Sequence, residues 1–286
     1  MLFSVVVPFL NEEKYIRRCL EALVNQDFDK NEYEIIFVDN GSTDGSSAIV
    51  SEHSGVTLLK ECGGGAYKAR NRGIAAARGD ILAFSDADCV VSNGWLSAIF
   101  EGMRVQEASI TMGPVNFPGE GSAALKLFED YNSAKLEYTL KYCEPKHYYG
   151  NGGNMAIRAD VIRKAGPFSE RMRRGGDGEM VQRCLAEYEG CKIVYLEDMK
   201  VEHLEIGTVG EWLKKIYAYG RWHSPAERGY AYVTLPLGDR FAIYGYCCKK
   251  NGYGFWKKTA ALFFLGLGMV FIESGRLIRR FKGGDA

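Results

Sequence analysis

Two carboxylates one position apart, Asp86 and Asp88, follow the apolar run Ile81-Leu82-Ala83-Phe84. Asp is disfavoured inside strands, so the pair marks a strand end. In open parallel sheets ligands bind beyond the carboxyl ends of the strands. Two acids gathered there suit a hard divalent cation, which takes oxygen ligands and leaves positions for a phosphate. The competing reading is a turn with two solvated acids. Another acid, Asp39, ends the run at residues 33–38 in the same way. Gly63-Gly64-Gly65 precede Lys68, Arg70 and Arg72. Free N–H groups at a helix start, with cations nearby, make a reasonable diphosphate neighbour. The string is neither a Walker loop nor the dinucleotide fingerprint, and it also reads as a flexible loop before an ordinary basic helix.

The elements that must position these groups follow from the apolar pattern. Residues 3–7 are a β-branched run ending at Pro8, a buried first strand. Asn11 is placed to cap a helix through Tyr15, Ile16, Leu20 and Leu23, with Glu12 and Glu13 at its positive end. Residues 33–38 form the second strand, 40–45 a turn-rich loop in which Asp44 or Ser42 caps the next helix, and 56–60 a short third strand. A helix ending near Gly79 leads to the strand before Asp86. Strand and helix thus alternate about four times in the first 90 residues, the pattern of a doubly wound α/β unit. Right-handed crossovers bring Asp39, the 40–45 loop and Asp86/Asp88 to one edge.

Composition narrows the function classes. Lys+Arg and Asp+Glu both total 36, so no bulk charge favours nucleic acid. Eight cysteines form no Cys-x-x-Cys pair, and no secretory signal precedes the first strand, so a cytosolic protein with reduced thiols is expected.

Val5-Val6-Val7-Pro8 with Asn11-Glu12, then Val38-Asp39-Asn40-Gly41-Ser42-Thr43-Asp44, then Ala69-Arg70-Asn71 with Gly73, then Asp86-Ala87-Asp88 occur in one fixed order. Together they resemble the family 2 glycosyltransferases. The resemblance implies the GT-A fold, a Rossmann-like, mostly parallel sheet flanked by helices, with a nucleoside diphosphate-sugar donor, Mn²⁺ or Mg²⁺, and inversion at the anomeric carbon. It also implies that Pro8, Asn11, Glu12 and Asp39 line the nucleoside pocket, that Arg70 sits by donor phosphate or nucleotide, that Asp86 contacts the ribose or sugar side, and that Asp88 holds the metal.

The second half carries matching pieces. A long helix is expected over residues 122–142, with a Tyr- and Lys-rich face that reads as core packing or as an acceptor-facing wall. Gly152-Gly153-Asn154-Met155-Ala156-Ile157-Arg158 resembles the family's acceptor-side loop, which implies Gly153 beside the sugar and Asn154 bonding a sugar hydroxyl. In Gly176-Asp177-Gly178-Glu179 the family usually has Glu-Asp first, so Gly176 is a departure and Asp177 matches the catalytic base. A helix N-terminus favours an ionised Asp, as a base requires. Glu179 and Arg183 fall at i, i+4 and read as an ion pair. Residues 191–196 are a strand. His203 beyond it reads as a structural histidine or, as in some related enzymes, a further metal ligand. Residues 209–222 form a helix whose Arg221-Trp222 either packs or closes over the donor diphosphate.

After Pro225 the composition changes. Residues 259–272 carry no charge, and at 14 residues the run is shorter than the roughly 20 a spanning helix needs. Phe255 and Trp256 border it, and Lys257, Lys258, Arg276, Arg279, Arg280 and Lys282 flank it. A helix on the cytoplasmic membrane face fits these flanks, as does a packing or dimer helix. The expected organisation is a catalytic domain over 1–224, divided into a nucleotide-sugar half (1–120) and an acceptor half (121–224), with a helical extension over 225–286. The expected activity is transfer of a sugar, from a UDP-sugar by family frequency, to a glycan or lipid-linked hydroxyl acceptor, with peripheral membrane contact through 255–282 and no nucleic-acid partner. The alternatives are a sugar-1-phosphate nucleotidyltransferase, against which Pro8-Phe9-Leu10-Asn11-Glu12 stands where a Gly- and Arg-containing loop belongs, and a non-catalytic membrane-associated scaffold.

Overall fold

The computed structural model describes residues 3–118, 122–222 and 235–281. The expected domain boundary at 224/225, His223 and Lys282 lie outside the described residues, as do the side chains of Trp222, Arg279 and Arg280.

The main sheet has seven strands in the order β3-β2-β1-β4-β8-β6-β9. They are β1 (Phe3–Phe9), β2 (Tyr33–Asp39), β3 (Thr57–Lys60), β4 (Ile81–Ser85), β6 (Ile110–Met112), β8 (Asn154–Arg158) and β9 (Ile193–Tyr195). All neighbours are parallel except those of β8, which runs antiparallel to both β4 and β6. All residues of β1 and β4 are buried, as strands covered on both faces require. Alternation divides β1 between two cores. Phe3, Val5 and Val7 pack with Leu20 of helix α1 (Ile16–Val24) and Trp95 of α4 (Trp95–Arg104). Val6 faces the other way, toward Phe84, Phe168 and Val181. Helices α3 (Gly65–Ala76), α6 (Ala159–Ala165) and α7 (Gly176–Glu187) lie on that second side.

A second, small sheet has the strand order β5 (Cys89–Val91), β10 (Val201–His203) and β7 (Val115–Asn116). Its β5–β10 register sets His203 opposite Cys89, next to Asp88. Beyond it stand the long α5 (Ala123–Tyr142), α8 (Val209–Trp222), α9 (Leu237–Lys250) and α10 (Phe255–Phe281). The short α2 (Ser46–Ser51) follows the 40–45 loop.

Two local expectations are corrected. Asn11 does not cap α1. That helix begins at Ile16, and Asn11 has a left-handed φ of 57°, from which its Oδ1 accepts the Thr43 N–H at 2.8 Å. Asn and Asp tolerate this region better than other side chains. The apolar C-terminal segment is not limited to 14 residues: α10 runs 27, and Phe255–Ile278 is long and apolar enough to cross a membrane by length and composition. The charged flanks continue the helix instead of ending it. One side of α10 packs on α8 so closely that a Cβ on Gly220 would lie 2.1 Å from the Ile272 carbonyl oxygen. Phe255, Trp256, Phe263 and Val270 are exposed on α10.

Candidate active site

Strand ends assemble the site. Register pairs Phe9 of β1 with Asp39 at the end of β2, and the two following loops bind each other. The Glu12 N–H donates to Ser46 Oγ at 2.8 Å and the Asn11 N–H to Ser42 Oγ at 3.0 Å. Asp39 holds its own loop, accepting the N–H groups of Ser42 at 2.7 Å and Gly41 at 3.1 Å and the Ser47 hydroxyl. Burial pushes its carboxyl up, but the bonds from Ser47, Ser42 and Gly41 outweigh burial and hold it below the ordinary carboxylate range. Pro8 is buried in β1 behind this loop pair. Pro8, Asn11, Glu12 and Asp39 therefore belong to one edge of the sheet.

Glu12 faces an acidic group. Its carboxyl is raised to about 7, first by burial and then by Asp88, Glu205, Asp86 and Asp44. Carboxylates that repel one another in a partly buried site are stabilised by a cation. Oδ2 of Asp88 lies 3.4 Å from Nε2 of His203. One ligand atom each from Asp88, Cys89 and His203 falls within 4.8 Å of the others. Burial lowers the His203 imidazole, with Asp88 opposing, which favours the neutral form that binds metals. Its Nδ1 is buried without a hydrogen-bond partner. Burial pushes the Cys89 thiol well up, so it stays protonated and suits a hard cation poorly. Nζ of Lys215 lies 2.7 Å from Nε2 of His203 and 3.1 Å from Glu205. A protein ammonium thus stands where the donor set favours positive charge, and Asp88 with His203 fits a divalent cation.

Arg70 joins Asp86, at the end of β4, to Asp177 of α7. Its Nη2 donates to Oδ1 of Asp86 at 2.5 Å, and Nη1 lies 3.9 Å from Oδ1 of Asp177. The rings of Tyr67 and Phe168 flank the guanidinium at 5.6 and 6.0 Å. Arg70 is only 4% exposed and is engaged with two carboxylates. Asp177 sits in the first turn of α7, but burial raises its carboxyl above the ordinary range, with Arg70 pulling it back and Asp86 adding to the rise. The expected effect of the helix end is therefore outweighed by burial. Buried Glu179 and Arg183 anchor α7 through bonds of 2.8 and 2.9 Å, and Arg183 also donates to the carbonyls of Ala165, Gly166 and Pro167.

The acceptor-side loop divides. A Cβ on Gly153 would lie 2.9 Å from Oδ2 of Asp86, so the glycine lets the loop approach this carboxylate. Asn154 is corrected: it is fully buried, accepts from Trp95 Nε1 at 2.9 Å, and donates to the carbonyls of Pro114 and Met199 at 2.9 and 2.7 Å. With both ends of its amide engaged it ties the sheets together and does not bond a sugar. Sequence reasoning missed Tyr67, whose hydroxyl accepts the Gly176 N–H at 2.9 Å. It also missed Glu205 and the placement of Lys215 at His203. None of these carries a local signal, because all three depend on chain-distant partners.

Fold and site define a nucleotide-sugar type of α/β transferase, and comparison with known proteins agrees. The model for "Glycosyl transferase family 2" matches residues 4–166, and the chain belongs to that family and is a glycosyltransferase. Glycosyltransferase AglE of Haloferax volcanii is 31% identical over 225 residues, 76% of this chain and 71% of the relative. A poly(ribitol-phosphate) beta-glucosyltransferase of Bacillus spizizenii is 30% identical over 152 residues, and there the alignment spans 49% of this chain and 24% of the relative. The crystal structure of S. aureus TarS in complex with UDP superposes with a TM-score of 0.60 at 20% identity, covering 89% of this chain and 73% of that one. The mannosyltransferase PcManGT of Pyrobaculum calidifontis, in complex with GDP-Man and Mn²⁺, gives 0.60 at 16% identity, covering 96% and 79%. These likenesses establish the GT-A fold.

Proposed function

We propose that this chain is an inverting, metal-dependent glycosyltransferase that takes a sugar from a nucleoside diphosphate-sugar, a UDP-sugar, and moves it to a hydroxyl of a glycan or lipid-linked acceptor. The observation that carries this reading is the Arg70 bridge, which sets Asp177 beside Asp86 in the lining of one cavity. The UDP in the TarS complex and the Mn²⁺ in the PcManGT complex support the choice of nucleotide and ion class.

Pro8, Asn11, Glu12 and Asp39 form the wall for the nucleoside, and Asp86 with Gly153 faces its ribose or sugar. Asp88 and His203 would hold Mn²⁺ or Mg²⁺, which when bound neutralises the charge of the nucleoside diphosphate. Asp177 takes the proton of the acceptor hydroxyl. The acceptor oxygen bonds to the anomeric carbon as the carbon–phosphate-oxygen bond breaks from the opposite face. The nucleoside diphosphate leaves with the bonding pair. Arg70 keeps Asp177 ionised and aimed. The proposed catalytic domain spans 1–224. In the proposed extension over 225–286, α9 and α10 contribute to the cavity lining, and the exposed apolar side of α10 supports peripheral contact with the cytoplasmic membrane face.

Calorimetric titration with UDP, GDP and CDP, with and without Mn²⁺, tests the donor side on wild type and Asp88→Ala. One nucleotide binding tightly, with need of both Mn²⁺ and Asp88, is the expected result. Absence of binding by all three would remove the transferase reading of this site.

A further inference from the structure

A cavity of about 540 Å³ runs from the catalytic end of the sheet into the C-terminal helices. Asp86, Asp177 and His203 line one end. Leu235, Phe241, Leu262, Leu265, Met269 and Ile272 line the other. Phe241 of α9 and Leu262 of α10 are 57% and 47% exposed, so part of this apolar lining also reaches the surface. A water-soluble sugar acceptor has no use for such a surface, since apolar walls gain free energy only by covering apolar groups.

Two of the cations in the lining stand apart, Lys135 of α5 and Arg240 of α9. Among the described residues neither has a carboxylate partner. Lys135 rests over the Tyr149 ring at 4.7 Å. Arg240 donates through Nε to the Leu235 carbonyl at 3.1 Å and through Nη1 to Sδ of Met269 at 3.7 Å. Burial, and then the charge of Arg240, pull the Lys135 ammonium down to about 8. The other cations of the lining differ: Arg276 pairs with Glu273 at 2.5 Å and Lys215 with Glu205 at 3.1 Å. Charges taken out of water are retained where a counter-charge compensates them, and among the described residues no carboxylate does so for these two.

We infer that the cavity holds an amphiphilic acceptor, its phosphate between Lys135 and Arg240, its hydrocarbon tail along α9 and α10, and its sugar hydroxyl toward Asp177. This rests on the glycosyltransferase reading of the site and narrows the acceptor to a lipid-linked phosphate. A bilayer surface fits the two cations less well, because they line the cavity while the exposed side of α10 carries Phe255, Trp256, Phe263 and Val270.

The test uses the full chain and dodecyl phosphate, dodecanol and inorganic phosphate as probes, each titrated calorimetrically. Dodecyl phosphate is expected to bind about tenfold or more tightly than either of the others, since a charge-assisted contact contributes at least that factor. The pair Lys135→Ala with Arg240→Ala is expected to lose that advantage while dodecanol binding stays the same. The pair Lys135→Arg with Arg240→Lys is expected to keep it. UDP titration of the same samples reports the donor site separately, so loss of UDP binding in the wild type faults the donor reading and not this one. If the alanine pair loses UDP binding as well, Lys135→Met alone decides. Equal affinity for dodecyl phosphate and dodecanol overturns the proposal. So does an unchanged alanine pair, or a loss confined to binding of anionic phosphatidylglycerol vesicles.

Discussion

Nη1 of Arg70 lies 3.9 Å from Oδ1 of Asp177 while the same guanidinium donates to Asp86. One buried cation therefore holds two carboxylates that would otherwise repel. Asp177 acts as a base only when ionised, and burial already raises its carboxyl, with Arg70 opposing. Removing Arg70 raises it further, so activity is lost as pH falls through a higher value. Arg70→Met is expected to move the acid limb of the kcat/KM profile up by about one unit or more, and an unmoved limb would remove this coupling.

Asp177→Asn separates chemistry from folding. Because its folded carboxyl is raised, ionisation of Asp177 opposes folding increasingly as pH rises above the ordinary carboxylate value. The variant is expected to keep nucleotide binding, to be at least as thermally stable at neutral pH, and to lose transfer by about 10²–10⁴-fold. Transfer at the wild-type rate would take the base role from Asp177.

Lys215 competes with an added cation. Its ammonium lies 2.7 Å from Nε2 of His203. Like charges at such a separation repel strongly in a partly buried site. Lys215→Met is expected to tighten Mn²⁺ binding severalfold in calorimetry, and His203→Gln to weaken it. A weaker Mn²⁺ affinity in Lys215→Met would contradict the competition.

Gly176 departs from the glutamate that the family resemblance leads one to expect, and Tyr67 explains it. A Cβ at this position would lie 2.7 Å from Cζ of Tyr67, whose hydroxyl also holds the Gly176 N–H. Gly176→Glu is expected to destabilise by about 1–3 kcal/mol in urea unfolding and to lower transfer, although it restores the common residue. A gain in activity would show that the Tyr67 contact is dispensable.

The Glu179–Arg183 pair holds the helix that bears Asp177. Both side chains are almost fully buried. Glu179→Ala leaves a buried guanidinium uncompensated and is expected to destabilise by about 3–5 kcal/mol. Denaturant titration reads this directly, and a change under about 1 kcal/mol would show that the carbonyls of 165–167 suffice.

The strands of the first half were readable because their signals are local. The apolar runs of β1, β2 and β4, each ending near Pro8, Asp39 or Asp86, mark buried parallel strands and the edge where ligands bind. The local reading failed at Asn11, where a loop partner in Thr43 outweighs capping, and the family resemblance failed at Asn154, where it implied a sugar contact but Trp95 and two carbonyls take the amide. Polarity near glycines shows where the backbone can approach something, not what approaches it.

The sequence by itself determined the family, the alternation of strand and helix, and the acids at the strand ends, since propensity and periodicity act over a few residues. Only the tertiary structure decided which of those acids meet. His203 reaches Asp88 because β10 pairs antiparallel with β5. Arg70, Asp86 and Asp177 converge because α3 and α7 pack on the same side of the sheet. Lys135 and Arg240, without a carboxylate partner among the described residues, share a cavity because α9 packs against α5. Such contacts join residues far apart in the chain, and they are fixed by sheet register and side-chain packing, for which a local stretch of sequence carries no signal.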